Sequence, residues 1–277
     1  MIKQSFTLFI ILIAILGLSA CGEKETAEET EAVPEVTTPE VVPGEMVLIP
    51  AGEFLMGSNE DKDNIAYPEH KVDLPAYWID KYEVTNKEFL EFSVETGYMG
   101  EGVKEGQDWR LFATIDKILY PVVYITWNDA AEYCKWRGKR LATEEEWEKA
   151  ARGPNGNKYP WGNEWEINRS NTYESGMNSF MPIGQFDDVS YYGVHDMLGN
   201  AQEWTGSWYV TYKGNPKRDS KSGKQLRVVR GLSYLYKGKV GSLTNRSAQP
   251  PNVLYDFTCR CAKDATPEDI ANAGMTE

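Results

Sequence analysis

Asp196 and Glu203 flank a tight Gly199-Asn200 turn in the stretch YGVHDMLGNAQEW, from Tyr192 to Trp204. A chain that bends back between two acids can bring both carboxylates and several backbone carbonyls onto one point. Calcium, a hard cation, is held by oxygen ligands of this kind from a short loop. Other combinations of reactive residues are weaker. Two histidines, His70 and His195, are too few for a three-histidine zinc or iron site. Ser233, His195 and Asp196 make a hydrolytic set on paper, but no Gly-x-Ser-x-Gly elbow marks the serine. His195 therefore reads as a hydrogen-bonded structural residue beside the turn.

Three helices with matching punctuation are available to position such a turn. Thr85-Asn86-Lys87-Glu88 is a capping box ahead of Phe89, Leu90 and Phe92, closed by Gly97. Thr126 to Asp129 opens a second helix through Ala130, Tyr133 and Cys134, with Gly138 past its end; Asp129 is a shorter partner than Glu or Gln. Thr143 to Glu146 caps a third through Trp147 and Ala151, ending at Gly153. Met46 to Pro50, Arg227 to Arg230 and Thr258 to Ala262 read as short strands. The remainder is long loops, which inside a domain are functional or held by something; calcium and a disulfide are the candidates.

The ends bound the class of protein. Lys3, an apolar run from Phe6 to Leu16 and small residues before Cys21 read as an export signal, too short for the roughly 20 apolar residues of a membrane span. Its ending, Leu18-Ser19-Ala20-Cys21, resembles a bacterial lipobox, which makes Cys21 the acylated first residue of the mature chain. Residues 1–20 are then the signal and 21–45 an acidic Glu/Thr/Pro tether without aromatic residues, unable to bury enough surface to order itself. Gly22 after the lipid-bearing cysteine is compatible with delivery to the outer membrane. The tether and the body each carry about half of the net charge of −13, so the body is only mildly acidic. That argues against a nucleic-acid partner, which wants a basic face. Residues 46–264 contain no repeat and no low-complexity break and are read as one domain. Residues 265–277 read as a polar, frayed tail.

Seven segments, in order, resemble the formylglycine-generating enzyme family, also called the sulfatase-modifying-factor domain. They are MVLIPAGEFLMGS, YWIDKYEVTNKEF, YPVVYITWNDAAEYCKWRGKRLATEEEWEKAARG, KYPWGNE, HDMLGNAQEW, RVVRGLSY and CRCAKD. The resemblance implies an α+β domain with little regular structure, related to the C-type lectin architecture. It also implies a calcium held by the side chains of Asp196 and Glu203 and the carbonyls of Gly199 and Ala201. Asn171 and the Thr172 carbonyl match the start of a second calcium site, whose remainder falls in the unassigned stretch 174–178. Cys134 and Cys261 match a family disulfide tying the second helix to the C-terminal strand. Cys259, which stands where the family has phenylalanine, is either a buried apolar thiol or the true partner of Cys134.

Catalytic members of the family oxidise a substrate cysteine with copper held by two cysteines just beyond an RGGSF-like element. Here that element is Arg230-Gly231-Leu232-Ser233-Tyr234, and residues 235–241 (Leu-Tyr-Lys-Gly-Lys-Val-Gly) hold no cysteine. Copper(I) selects soft thiolates, so no copper and no oxidase chemistry are expected. Leu232 should crowd a backbone that passes closely at this point, and Gln202 replaces the family's tryptophan. The segment 232–258 carries Tyr234, Tyr236, Asn245, Gln249, Asn252 and Tyr255, a composition of adaptable recognition surfaces. With Gln202 and Leu232 these form the expected ligand-binding set, for a protein or glycan. They also resemble the variable ligand-binding proteins of diversity-generating retroelements. The reading is a calcium-stabilised, non-catalytic binding lipoprotein of the bacterial envelope, at the outer membrane or cell surface. An oxidase with an unidentified site and a structural component like the gliding-motility lipoproteins are the alternatives.

Overall fold

Local capping decides where the helices start. The computed structural model describes residues 40–102, 108–217 and 219–274. The signal segment, Cys21 and most of the tether lie outside the described residues. Helix α1 (Asn86–Thr96) begins at Thr85, whose hydroxyl accepts from the Glu88 N–H while the Glu88 carboxylate accepts from the Thr85 N–H at 2.9 Å; Gly97 ends it in the left-handed region. Helix α2 (Trp127–Trp136) has the same box with Asp129. The short acid is no handicap: Asp129 Oδ2 closes the box at 2.8 Å while Oδ1 accepts from Tyr98 Oη and the Glu101 N–H. Helix α3 (Glu144–Arg152) starts at Thr143 and stops at Gly153.

A four-stranded antiparallel sheet runs in the order β1 (Met46–Ile49), β4 (Tyr77–Asp80), β10 (Cys261–Asp264), β5 (Arg140–Leu141). A second sheet has the order β8 (Arg246–Gln249), β7 (Arg227–Arg230), β6 (Gln202–Trp208), β9 (Phe257–Cys259), with β6 and β9 parallel. A separate hairpin joins β2 (Gly52–Met56) to β3 (His70–Leu74). The expected strand 258–262 is thus two strands in different sheets, broken at Arg260. Residues 265–277, expected to fray, include a helix α4 (Pro267–Asn272), because Thr266 and Asp269 form a capping box with proline in the first turn. The result is a mixed α+β domain with modest regular structure.

Two apolar clusters fill the interior. One gathers Phe89, Phe92, Trp109, Tyr133, Trp204 and Phe257 around α1 and α2. The other gathers Ile49, Tyr77, Trp147, Met197, Leu198 and Leu232 beside α3. The Cys134–Cys261 disulfide lies within the first cluster and joins α2 to β10 across 127 residues of sequence. Cys259 is a buried free thiol packed in the first cluster, so the open question of its role resolves to an apolar core residue. Leu232 does not obstruct the chain: it is buried in the second cluster, and Gly241 makes room, since a Cβ there would press on Leu232 Cδ1.

Candidate functional site

The loop 196–201 leads directly into β6, which fixes the acids. Asp196 and Asn200 both occupy the left-handed region, at φ 59° and 66°, where Asp and Asn are the side chains best tolerated. Gly199 serves a different need: a Cβ at that position would collide with Ser170 Oγ and the Asn171 carbonyl. The glycine therefore lets two backbone segments approach, and Asn200 makes the turn. Asn200 is also the hub of the site. Its N–H and its Oδ1 bond the Asn171 carbonyl and Nδ2 at 2.9 Å, and its Nδ2 donates to Glu83 Oε2 at 2.6 Å. Through Asn200 the two expected metal-binding segments become one structure.

Glu203, first in from the edge of β6, is opposite Arg230 on β7 and Thr258 on β9. Its carboxylate is held by Arg260 at 2.7 and 2.8 Å and by Trp147 Nε1 at 3.0 Å. Arg260 is fully buried and also donates to the carbonyls of Asp80, Lys81 and His195. The structure adds two acids that the sequence reading did not name. Glu83 is buried and accepts from the Ala201 N–H at 3.0 Å. Asp188 is buried, accepts from the Leu198 N–H, and leaves its Oδ1 without a partner.

Charge at this site is unbalanced. Among the described residues, Asp196, Glu83, Asp188 and Glu203 are buried around one guanidinium, Arg260. Burial, helped by the Asp196 and Glu203 charges, pushes the Glu83 carboxyl well above the usual carboxylate range. Burial and the nearby Asp188 carboxylate likewise raise Asp196, to about 7, and burial raises Asp188 to about 6. Either protons or a cation must offset the surplus. Asp196 and Asp188 keep the most free acceptor capacity, each taking one N–H, from Gly184 and Leu198 respectively. Glu203 has spent three of roughly four lone-pair directions on Arg260 and Trp147, so it can offer one. Free carboxylate oxygens of this kind are what a hard cation would use, with Glu203 able to give only a reduced share.

Asn171 and Thr172 are both buried. Asn171 Oδ1 accepts from Ser175 Oγ, and Thr172 Oγ1 donates to Glu174 at 3.0 Å. Glu174 in turn accepts from the N–H groups of Gly238 and Lys239. It clamps the loop 235–241, where the copper cysteines are missing, to the 171–174 segment. His195 is tied by its backbone, through bonds to Lys81 and from Arg260, while its ring packs on Tyr82 with Nδ1 unpartnered. Burial and nearby Lys81 and Arg260 hold its imidazole down at about 4, so it stays neutral.

Beside this centre the β6–β9 sheet and the loop 231–236 enclose a cleft of about 350 Å³. Six of the eight residues expected to contact a ligand line it: Gln202, Leu232, Tyr236, Asn245, Gln249 and Tyr255. Tyr234 instead packs edge-on against Phe180, and Asn252 is exposed elsewhere on the surface. Asp256, Ser247 and Arg246 complete the wall and were not foreseen. Below it lies a buried ion network from α3: Glu144 pairs with Arg230 and Arg246, and Glu148 with Arg230 and Arg152. The run of glutamates at 144–146 suggested only a helix start; its pairing with arginines some hundred residues away leaves no local signal.

A mixed domain of short strands whose carboxylate loop feeds the second sheet, beside a cleft at an RGGSF-like element, defines the class. The chain belongs to the FGE-sulfatase family, the sulfatase-modifying factor enzyme 1-like domain, whose profile matches residues 31–265. It is 32% identical to inactive C-alpha-formylglycine-generating enzyme 2 of Mus musculus, over 81% of this chain and 88% of that protein. It is 30% identical to the formylglycine-generating enzyme of Bos taurus, over 92% of this chain and 87% of the other. Sequence identity alone does not separate active from inactive relatives; the residues at the site must. Among solved structures, Treponema denticola variable protein 1 has the same fold, with a TM-score of 0.61 at 19% identity, covering 79% of this chain and 95% of that one.

Proposed function

We propose that this domain is a non-catalytic binding module of the bacterial envelope, braced by calcium and anchored by a lipid on Cys21, that takes a protein or glycan ligand in the cleft beside β6. The observation that carries the reading is the convergence of Gln202, Leu232, Tyr236, Asn245, Gln249 and Tyr255 on one cleft, at the place where the sequence lacks the copper cysteines. Tyrosine and amide side chains on a rigid frame suit adaptable recognition. The buried acid surplus around Asp196 supports calcium as the brace, with Asn171 and Thr172 as the start of a second site. The lectin-like architecture and retroelement diversification expected from the sequence are compatible with such a cleft. The mildly acidic body argues against a nucleic-acid partner.

Sibling genes in the same genome test the binding role. Differences concentrated at adenine positions of the codons for 232–258, beside a reverse transcriptase, support a diversified cleft. An unvarying segment with no such neighbour favours a purely structural envelope role. The anchor is tested separately: Cys21→Ser should abolish incorporation of labelled fatty acid, and continued labelling would remove the lipoprotein reading.

A further inference from the structure

Electrostatic accounting inside the cleft narrows what it can hold. Two charged side chains line it, Arg246 and Asp256. Arg246 is held by a carboxylate it shares with Arg230, its Nε and Nη2 lying 2.6 and 2.7 Å from Glu144, and its side chain is buried, so it is turned away from a ligand. Its guanidinium also stacks on Tyr212 at 4.1 Å and donates to the carbonyls of Ile65 and Val210. Asp256 is half-buried and, among the described residues, has neither a salt bridge nor a side-chain donor. Burial raises its carboxyl above the ordinary value, the mark of a charge short of partners. Lining the same cleft are the exposed rings of Tyr236 and Tyr255 and Ser247, whose Oγ is buried without a hydrogen-bond partner.

We infer that the cleft selects a cationic side chain, a lysine or arginine of a protein segment, seated on Asp256 with its stem or guanidinium plane against Tyr236 and Tyr255. A carboxylate beside tyrosine faces suits an ammonium or guanidinium twice over, by the ion pair and by the ring quadrupoles. A neutral glycan can stack on the rings and donate hydroxyls to Asp256 but forms no ion pair. This inference rests on the cleft being the binding site. Asp256 was invisible to the sequence reading because it sits one residue beyond the tyrosine-rich set and belongs to no motif quoted for the family.

The test uses the isotope-labelled domain, residues 40–277, and three capped tripeptides: acetyl-Gly-Arg-Gly-amide, its lysine counterpart and the neutral citrulline isostere. Amide shifts are followed by NMR for wild type and Asp256→Asn. The expected result is that the arginine and lysine peptides move the amides of 202, 231–236, 245–249 and 255–257, and that affinity falls at least tenfold with citrulline or with Asp256→Asn. A melting temperature unchanged in Asp256→Asn shows that the loss is local. If citrulline binds the same amides as tightly as arginine, or Asp256→Asn leaves affinity unchanged, the cationic selection is wrong while the cleft stands. If no peptide moves those amides, but neutral oligosaccharides do, the protein-segment class is wrong. If neither does, the cleft reading fails with it.

Discussion

Replacing Arg260 with methionine removes the one cation buried among Glu83, Asp188, Asp196 and Glu203. Methionine fills most of the volume but none of the five hydrogen bonds: two to Glu203 and one each to the carbonyls of Asp80, Lys81 and His195. Breaking a buried pair by deleting one partner costs about 3–5 kcal/mol. In a domain of this size each kcal/mol moves the melting temperature by roughly 2–4 °C, so a fall of about 10 °C is expected. The sign of the pH dependence follows from proton binding. Acids whose folded pKa lies above the unfolded value hold extra protons when folded, so stability falls as pH rises through that window and is flat above it. In wild type the window runs from the ordinary carboxylate range to about 6 for Asp188 and about 7 for Asp196. In Arg260→Met it should steepen, because the guanidinium no longer opposes the upward shifts of Glu83, Asp188 and Asp196; acidification from pH 7.5 to 5 should recover several degrees. Arg260→Lys keeps the charge without the fork and should lie between. Differential scanning calorimetry of the three proteins across pH decides the matter. A variant within about 2 °C of wild type, or a deficit that does not shrink on acidification, would refute the charge argument.

Further expectations follow from the same residues. Calcium at a hundred times Kd should stabilise chelator-treated protein by about 2.7 kcal/mol, read as a rise in melting temperature of roughly 5–10 °C. The rise should be smaller at pH 5 than at 7.5, since Asp196 and Asp188 must release protons to hold a cation; a transition unmoved by calcium at pH 7.5 removes the brace. Gly199→Ala should destabilise the domain by about 1–3 kcal/mol and weaken any calcium effect, because the added methyl meets Ser170 and the Asn171 carbonyl; urea melts of wild type and variant check this. Cys134→Ala with Cys261→Ala should cost about 3–5 kcal/mol, whereas Cys259→Ala should cost about 1 kcal/mol of packing. Peptide mapping under non-reducing conditions should recover the Cys134–Cys261 pair with Cys259 free, and a Cys134–Cys259 link would contradict the structure.

What could be read in advance followed range of interaction. Helices α1, α2 and α3 were legible because a capping box spans four residues and a terminal glycine marks the stop. The same signal at Thr266 and Asp269 was passed over amid polar composition. The loop at 196–203 was visible as a unit, but how its two central residues divide the turn was not: Asn200 adopts the left-handed conformation and Gly199 permits close approach. Glu83 and Asp188 join the centre from distant positions, and Arg260 crosses 57 residues to reach Glu203. No spacing in the chain announces such pairs. The cleft residues were legible from tyrosine and amide composition, with Gln202 and Leu232 added as departures from the family pattern; neither signal points to Asp256 or Ser247.

The central claim is that a binding cleft stands where a copper oxidase would have its cysteines, and incubation with copper tests it most directly. The purified domain is loaded with Cu(I) under oxygen and mixed with a Cys-x-Pro-x-Arg peptide, whose mass is followed with time. The account predicts that the peptide keeps its sulfur and that no aldehyde forms. Conversion of the cysteine to formylglycine, dependent on added copper and on this protein, would contradict it.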